Sequence, residues 1–289
     1  MEIFLSIAPI VLMVLAIVVI YAVQNTQYKK TDYYKQTQTP YINVRLNKGL
    51  LGEFYTYKYL KALNGYKRYL FNLYIPKNNA ETTELDVVLL HESGIYIFES
   101  KNYSGWIFGT ESQQYWTQTL HVGSGRTQKN LFYNPILQNK GHLKWLQTFL
   151  ADQSLPFYSY IVFSERCTLK NITLTSGKHH VVKRYDLLSA IQQNILKTGI
   201  QLSPDKIDSL FEKLYPLTQV DEVQKIIHIR NIQQKTQGFK KTVCPRCGGT
   251  LVMRTAAKES RQGKQFLGCS NYPKCRYIEN LPDKAKRGH

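Results

Sequence analysis

A chain of 289 residues that is 43% apolar and 20% charged is neither a disordered tail nor a fibrous repeat, and has room for one medium domain plus smaller elements. Its 38 Lys+Arg against 20 Asp+Glu give a formal net charge of +18, a field that favours polyanions: nucleic acid, or the anionic face of a membrane. Cys167 stands alone and the other four cysteines fall in the last fifth of the chain, which speaks against a secreted disulfide framework and for a reducing compartment with a metal site.

Ile3 to Val23 carries no charge over 21 residues. A helix of that length matches a hydrocarbon core of roughly 30 Å. Pro9 is tolerable in a membrane helix, and Tyr21 falls where an interfacial aromatic belongs. A cleaved signal peptide would need a basic leading region, a shorter apolar run and a small-residue cleavage site, and none is evident. Lys29, Lys30 and Lys35 follow the segment and no basic residue precedes it. The positive-inside rule then predicts a single-pass anchor with the N-terminus outside and the remainder in the cytoplasm. The polar stretch from Gln24 to Pro40, rich in Gln, Thr, Tyr and Lys, reads as a juxtamembrane linker.

Asn47 to Leu63 has helical periodicity, with Glu53 near its start. Two β-rich runs follow, Leu85–Leu90 and Ile95–Lys101, separated by His91-Glu92-Ser93-Gly94. In a simple hairpin Leu90 faces Ile95, which sets Asp86 opposite Glu99 and Glu84 opposite Lys101. Two facing carboxylates among apolar residues are costly unless a proton or a cation lies between them. A divalent cation is the simplest neutraliser, because Mg²⁺ accepts one or two carboxylates together with water and phosphate oxygens. Lys101 shares that face; a plain salt bridge to Glu84 is its bland alternative.

Asp86 followed by Glu99-Ser100-Lys101 resembles the D…ExK signature of restriction-endonuclease-like nucleases. Together with Gly49-x-x-Gly52-Glu53, Trp116 and Asn134-Pro135-x-x-Gln138, the order and spacing resemble the nuclease-related (NERD) domain over about residues 43–163. The resemblance implies a mixed sheet flanked by helices and hydrolysis of phosphodiester bonds in DNA. It further implies Asp86 and Glu99 as ligands to Mg²⁺ or Mn²⁺ and Lys101 as the residue that orients water or stabilises phosphate charge. Glu53 would be a supporting carboxylate and Gln138 a polar contact from the helix after the sheet. Ser100 departs from the β-branched apolar residue expected in its slot, which points to the opposite face. Cys167 reads as a small buried hydrophobe, His179-His180 as ordinary residues before a short strand, and the loop at Gly123–Arg126 as a loop only.

A polar helix is expected from Gln219 to Gln237. Beyond it Cys244-Pro-Arg-Cys247, then Cys269 and Cys275, have the count and spacing of a tetrahedral thiolate site for structural Zn²⁺. The order CPRCGG…QFLGCSNYPKC resembles the zinc ribbons at the C-terminus of type IA topoisomerases, which implies binding of single-stranded DNA. From Gly238 onward 12 Lys+Arg stand against 3 acids. Lys264, Phe266, Tyr272, Lys274, Arg276 and Tyr277 interleave stacking faces with phosphate partners.

The expected α/β architecture is a transmembrane anchor (1–24), a linker (25–40), a nuclease-like domain (41–165), a helical extension and linker (166–237), a zinc ribbon (238–281) and a basic tail (282–289). The expected setting is the inner membrane of a bacterium. A membrane tether that binds DNA, or a DNA-processing complex, without cutting is the rival expectation from another functional class.

Overall fold

The structure is a computed structural model that describes residues 2–78, 81–240, 244, 246, 248–256 and 265–280. In chain order the helices are α1 (Glu2–Lys29), α2 (Asp32–Thr37), α3 (Tyr41–Leu46), α4 (Lys48–Leu60), α5 (Pro135–Leu150), α6 (Leu187–Thr198), α7 (Pro204–Leu214) and α8 (Glu222–Lys240). The first six strands are β1 (Lys67–Pro76), β2 (Thr82–His91), β3 (Gly94–Lys101), β4 (Gly105–Thr110), β5 (Tyr115–His121) and β6 (Thr127–Tyr133). They are followed by β7 (Phe157–Phe163), β8 (Cys167–Thr173), β9 (His179–Lys183), β10 (Leu251–Thr255), β11 (Gln265–Cys269) and β12 (Ile278–Asn280). The chain divides into two units: Met1–Tyr103, Asn139–Glu165 and Lys178–Val220 in the first, Ser104–Gln138, Arg166–Gly177 and Asp221–His289 in the second.

The first unit is built on a mixed sheet of order β1-β2-β3-β7-β9. β1 to β3 form an antiparallel meander, and β7 and β9 run parallel to β3. Both faces are covered, so the strands read as apolar runs with little alternation. On one face Phe71, Val87, Leu89, Tyr96 and Phe98 pack with Phe54, Tyr57 and Leu60 of α4 and with Leu187 and Ile191 of α6. On the other, Val88, Leu90, Ile95 and Ile97 pack with Leu146 and Leu150 of α5 and Ile207 and Leu210 of α7. β9, α6 and α7 therefore complete the first unit, where a separate helical extension was expected.

The pleat changes phase in the middle of β1 and β2. Leu70 and Leu73 both lie on the α5 face while Phe71 lies on the α4 face, and Asn72 between them has a positive φ of 50°. Across from this point Leu85 joins the α5 face together with Val88, although strict alternation would separate them. Asp86 occupies the switch.

The expected linker takes a different form. Residues 25–40 form the end of α1 and all of α2, and Tyr28 and Tyr33 are buried in the core with Tyr41 and Val44 of α3. A tyrosine can be buried when its hydroxyl finds a partner: Tyr28 donates to Thr39 O at 2.7 Å and Tyr33 to Glu53 Oε2 at 3.1 Å. The tyrosine-rich composition that suggested a solvated tether is the packing surface itself. Upstream, Ile10 to Ile20 of α1 expose their large apolar side chains, and the helix is long and apolar enough to cross a membrane.

α4 starts where Asn47 accepts hydrogen bonds from Gly49 N–H and Leu50 N–H. Asn47→Ala is expected to lower stability by about 1 kcal/mol in chemical denaturation, the usual cost of losing such a cap. An unchanged midpoint would show that the cap is not needed once α4 is docked.

The second unit contains an antiparallel β6-β5-β4 sheet extended by a parallel β8, and a small β10-β11-β12 sheet. Trp116 is fully buried and donates from Nε1 to Thr110 O. Asn134 donates from Nδ2 to Gln113 O at 2.6 Å and accepts Ile136 N–H, which ties the start of α5 to the β4–β5 turn. Cys167 is buried, as expected, and Gly123–Arg126 is the β5–β6 turn. In the first unit His179 bonds Ser159 Oγ and His180 stacks on Tyr160, so both histidines have structural roles.

Candidate active site and zinc ribbon

β2 and β3 keep the expected register from His91–Gly94 to Val87–Phe98, where the ladder ends. Beyond it Asp86 does not continue as a simple partner of Glu99. Its Oδ2 accepts the backbone N–H of Ser100 at 2.9 Å, a consequence of its position at the pleat switch. The two carboxylates remain within electrostatic reach of each other, with Glu53 and Lys101 nearby.

α4 brings Glu53 to this end of the sheet by an unusually close approach. A Cβ on Gly52 would meet Asn102 Cβ at 2.9 Å and Ser100 Oγ at 3.2 Å, so only glycine lets the helix sit this near β3. Ser100, the residue that departs from the expected apolar pattern, directs its hydroxyl at Thr56 of α4, 3.1 Å away. Gly52→Val is expected to displace α4 and lower thermal stability; a variant with wild-type melting would show that the helix can shift without cost.

The lysine pairs along its own strand. Lys101 Nζ donates to Glu99 Oε1 at 2.6 Å, and Glu99 is 1% exposed. Glu99 Oε2 lies 3.1 Å from His142 Nε2 on α5, and His142 Nδ1 lies 2.7 Å from Thr83 Oγ1. A carboxylate only accepts, so Nε2 carries a proton, and Nδ1 shares its hydrogen bond with the Thr83 hydroxyl. The Glu84 carboxylate accepts from Tyr74 OH at 2.7 Å and contributes to the field at Glu53.

Charge is unbalanced in this cluster. Among the described residues Glu53, Glu84, Asp86 and Glu99 face one lysine, and the effect is visible on the acidities of Glu53 and Asp86. Burial, then the neighbouring Glu84, push Glu53 up to about 8. Burial, then Glu99, raise Asp86 well above the usual carboxylate range. Burial also acts to raise Glu99, but Lys101 and His142 outweigh it and hold it below its ordinary value. Burial disfavours the charge on Lys101, yet Glu99 and then other anionic neighbours leave it raised. A partly buried set of hard oxygen donors with excess formal negative charge, its Glu99 fully enclosed, suits a divalent cation such as Mg²⁺ or Mn²⁺.

Gln138 lies in the first turn of α5, one helical turn ahead of His142 and in the second unit. His142 was not read from the sequence, and Glu84 was read only as a salt-bridge partner for Lys101. The signals were present: His142 is four residues past Gln138 on the same helical face, and Glu84 precedes Asp86 by two.

In the ribbon the sulfurs of Cys244, Cys269 and Cys275 lie within 4.8 Å of one another and all three residues are buried. That is a thiolate donor set suited to Zn²⁺. Cys247 and Lys264 lie outside the described residues. Tyr272, Lys274 and Arg276 are exposed and Phe266 is half-buried, whereas Tyr277 packs on the cysteine cluster as part of the ribbon's small core. The guanidinium of Arg254, on β10, lies 5.7 Å from the centre of the Tyr272 ring.

The nuclease-related domain model matches residues 48–164, and the model described as a topoisomerase DNA-binding C4 zinc finger matches residues 241–284. An uncharacterised protein of Bacillus anthracis is 30% identical over 189 residues, covering 65% of this chain and 85% of that protein. DNA topoisomerase 1 of Archaeoglobus fulgidus is 32% identical over 98 residues, and that of Methanocaldococcus jannaschii 63% identical over 43 residues. The chain spans only 13% and 5% of the length of these two topoisomerases. No solved structure matches. The chain thus belongs to the nuclease-related domain family and joins to that domain a four-cysteine zinc ribbon of the topoisomerase DNA-binding type.

Proposed function

We propose that this protein is a membrane-anchored, metal-dependent nuclease that hydrolyses phosphodiester bonds in DNA, with its zinc ribbon holding the nucleic acid. The observation that carries the reading is the convergence of Glu53, Asp86 and Glu99 on the half-buried, charged Lys101 at one end of the central sheet. Asp86 and Glu99 would hold the divalent cation, which when bound polarises a phosphoryl oxygen and lowers the pKa of water. Lys101 stabilises the charge that develops on the phosphate, a device that works best where water is excluded. His142, held by Thr83, orients the Glu99 carboxylate and so is a positioning residue. Gln138, one turn earlier, would reach toward substrate. The exposed Tyr272, Lys274 and Arg276 offer a stacking face and phosphate partners, with Phe266 and Lys264 beside them in the chain. The ribbon is proposed to take single-stranded DNA. α1 would anchor the chain in the inner membrane of a bacterium with its N-terminus outside.

One observation favours the rival non-catalytic reading. Both oxygens of Glu99 are already engaged, by Lys101 and His142, so a cation must displace or share one of these bonds. The deciding experiment presents the full chain in nanodiscs with labelled single- and double-stranded DNA and RNA, with Mg²⁺, Mn²⁺ or a chelator. Metal-dependent cleavage of DNA supports the nuclease. Binding without cleavage under every metal condition would leave a tether.

A further inference from the structure

We infer that α3 is a second membrane contact, an amphipathic turn that lies on the same bilayer crossed by α1 and fixes how the catalytic unit sits against it. This rests on the reading of α1 as a membrane anchor.

α3 is clamped to the last turns of α1, at the end of the apolar run. The Tyr41 ring lies 5.7 Å from that of Tyr21 and 5.1 Å from that of Tyr28. Its hydroxyl bonds Gln24 Oε1 at 3.0 Å. Tyr21 and Tyr28 are seven residues apart, about 10 Å along a helix axis, so Tyr41 lies along the stretch where an interfacial aromatic belongs. α3 cannot swing away from the membrane surface without leaving this contact.

The helix divides its side chains cleanly. Tyr41 and Val44 enter the core, whereas Ile42 is 44% and Leu46 77% exposed. These two are four residues apart and share one helical face. Singly exposed apolar residues need no explanation. A pair on one face, beside a membrane span, has an occupant close at hand. The flanking charges fit it: residues 29–48 contain Lys29, Lys30, Lys35, Arg45 and Lys48 against the single acid Asp32. Apolar side chains bordered by Lys and Arg are the composition of an interfacial helix, and the basic residues are attracted to anionic headgroups.

The same geometry reaches the catalytic cluster. α2, between the span and α3, buries Tyr33, whose hydroxyl bonds Glu53, and Asp32 accepts from Tyr57 of α4. The bilayer contact and the carboxylate cluster are therefore separated by one short helix, all within the first unit.

The test uses the full chain in vesicles of phosphatidylglycerol and phosphatidylcholine with brominated acyl chains. A fluorescent side chain is introduced by suppression at Ile42, Leu46, Leu15 of the span or Leu196 on α6, which is 86% exposed. Quenching at positions 42 and 46 well above that at 196, and approaching that at 15, is the expected result. Quenching at 15 with values at 42 and 46 no higher than at 196 would leave the anchor standing and overturn the α3 contact. Absence of quenching at 15 would remove the anchor reading, and this proposal with it.

Discussion

Asp86→Asn and Lys101→Met are each expected to lower metal-dependent cleavage of DNA by about 10²–10⁴-fold while leaving binding to single-stranded DNA unchanged. The asparagine keeps an oxygen for the Ser100 N–H that Asp86 accepts, so the end of β3 stays in place while the ligand charge is lost. Methionine fills the space of the lysine stem but removes the ammonium paired with Glu99, which retains its bond to His142. Removing one partner of a buried pair also destabilises, so thermal melting is measured alongside. A fall in cleavage in a chain that still melts cooperatively assigns the chemistry to this cluster. Undiminished cleavage by both variants would place the reaction elsewhere or in a contaminant. His142→Gln, which can still donate to Glu99, is expected to lower turnover much less than His142→Ala.

Stripping zinc is expected to have the largest effect on the ribbon. Folding of a small four-thiolate domain draws on metal binding worth about 10–16 kcal/mol. The described ribbon core consists of Cys244, Cys269, Cys275 and Leu251, with Leu267 and Tyr277 against them, too little apolar surface to hold the strands without metal. Chelation should release zinc, expose reactive thiols and abolish the ribbon's share of DNA affinity, read by fluorescence anisotropy on a single-stranded oligonucleotide. The melting transition of the first unit, which has its own two-faced core, should persist. Full DNA affinity in the zinc-free chain would move nucleic-acid binding away from the ribbon.

The legible parts of this chain were those in which spacing alone carries the chemistry. Cysteine spacing revealed the ribbon, and the hairpin arithmetic from Leu90 and Ile95 held as far as Val87–Phe98. It stopped at Asp86, because a positive φ at Asn72 on the neighbouring strand shifts the pleat, and nothing in the local pattern of β2 reports what its neighbour does. β1 escaped notice because Tyr69, Leu70, Phe71, Leu73, Tyr74 and Ile75 are buried on both faces and show no alternation. The second sheet was unreadable for the opposite reason: β6 is largely polar and exposed, and only pairing with β5 defines it. The segment 25–40 misled through composition. Gln, Thr and Tyr look like solvated linker residues until the tyrosine hydroxyls are given partners such as Thr39 O and Glu53. His142 could be connected to Glu99 only once β3 and α5 were known to pack face to face.

The absence of slack between α1 and the sheet of the first unit limits reach. A flexible 16-residue tether would let a domain roam roughly 20 Å from its attachment point, sampling a volume of cytoplasm. Here Tyr28 is built into the core, so with α1 in a bilayer the carboxylate cluster is held at a nearly constant height above the lipid. On the reading proposed above, such a chain would search in two dimensions: its substrates would be the strands that pass close to the membrane, and its rate would depend on traffic through that thin layer more than on how much DNA the cell contains.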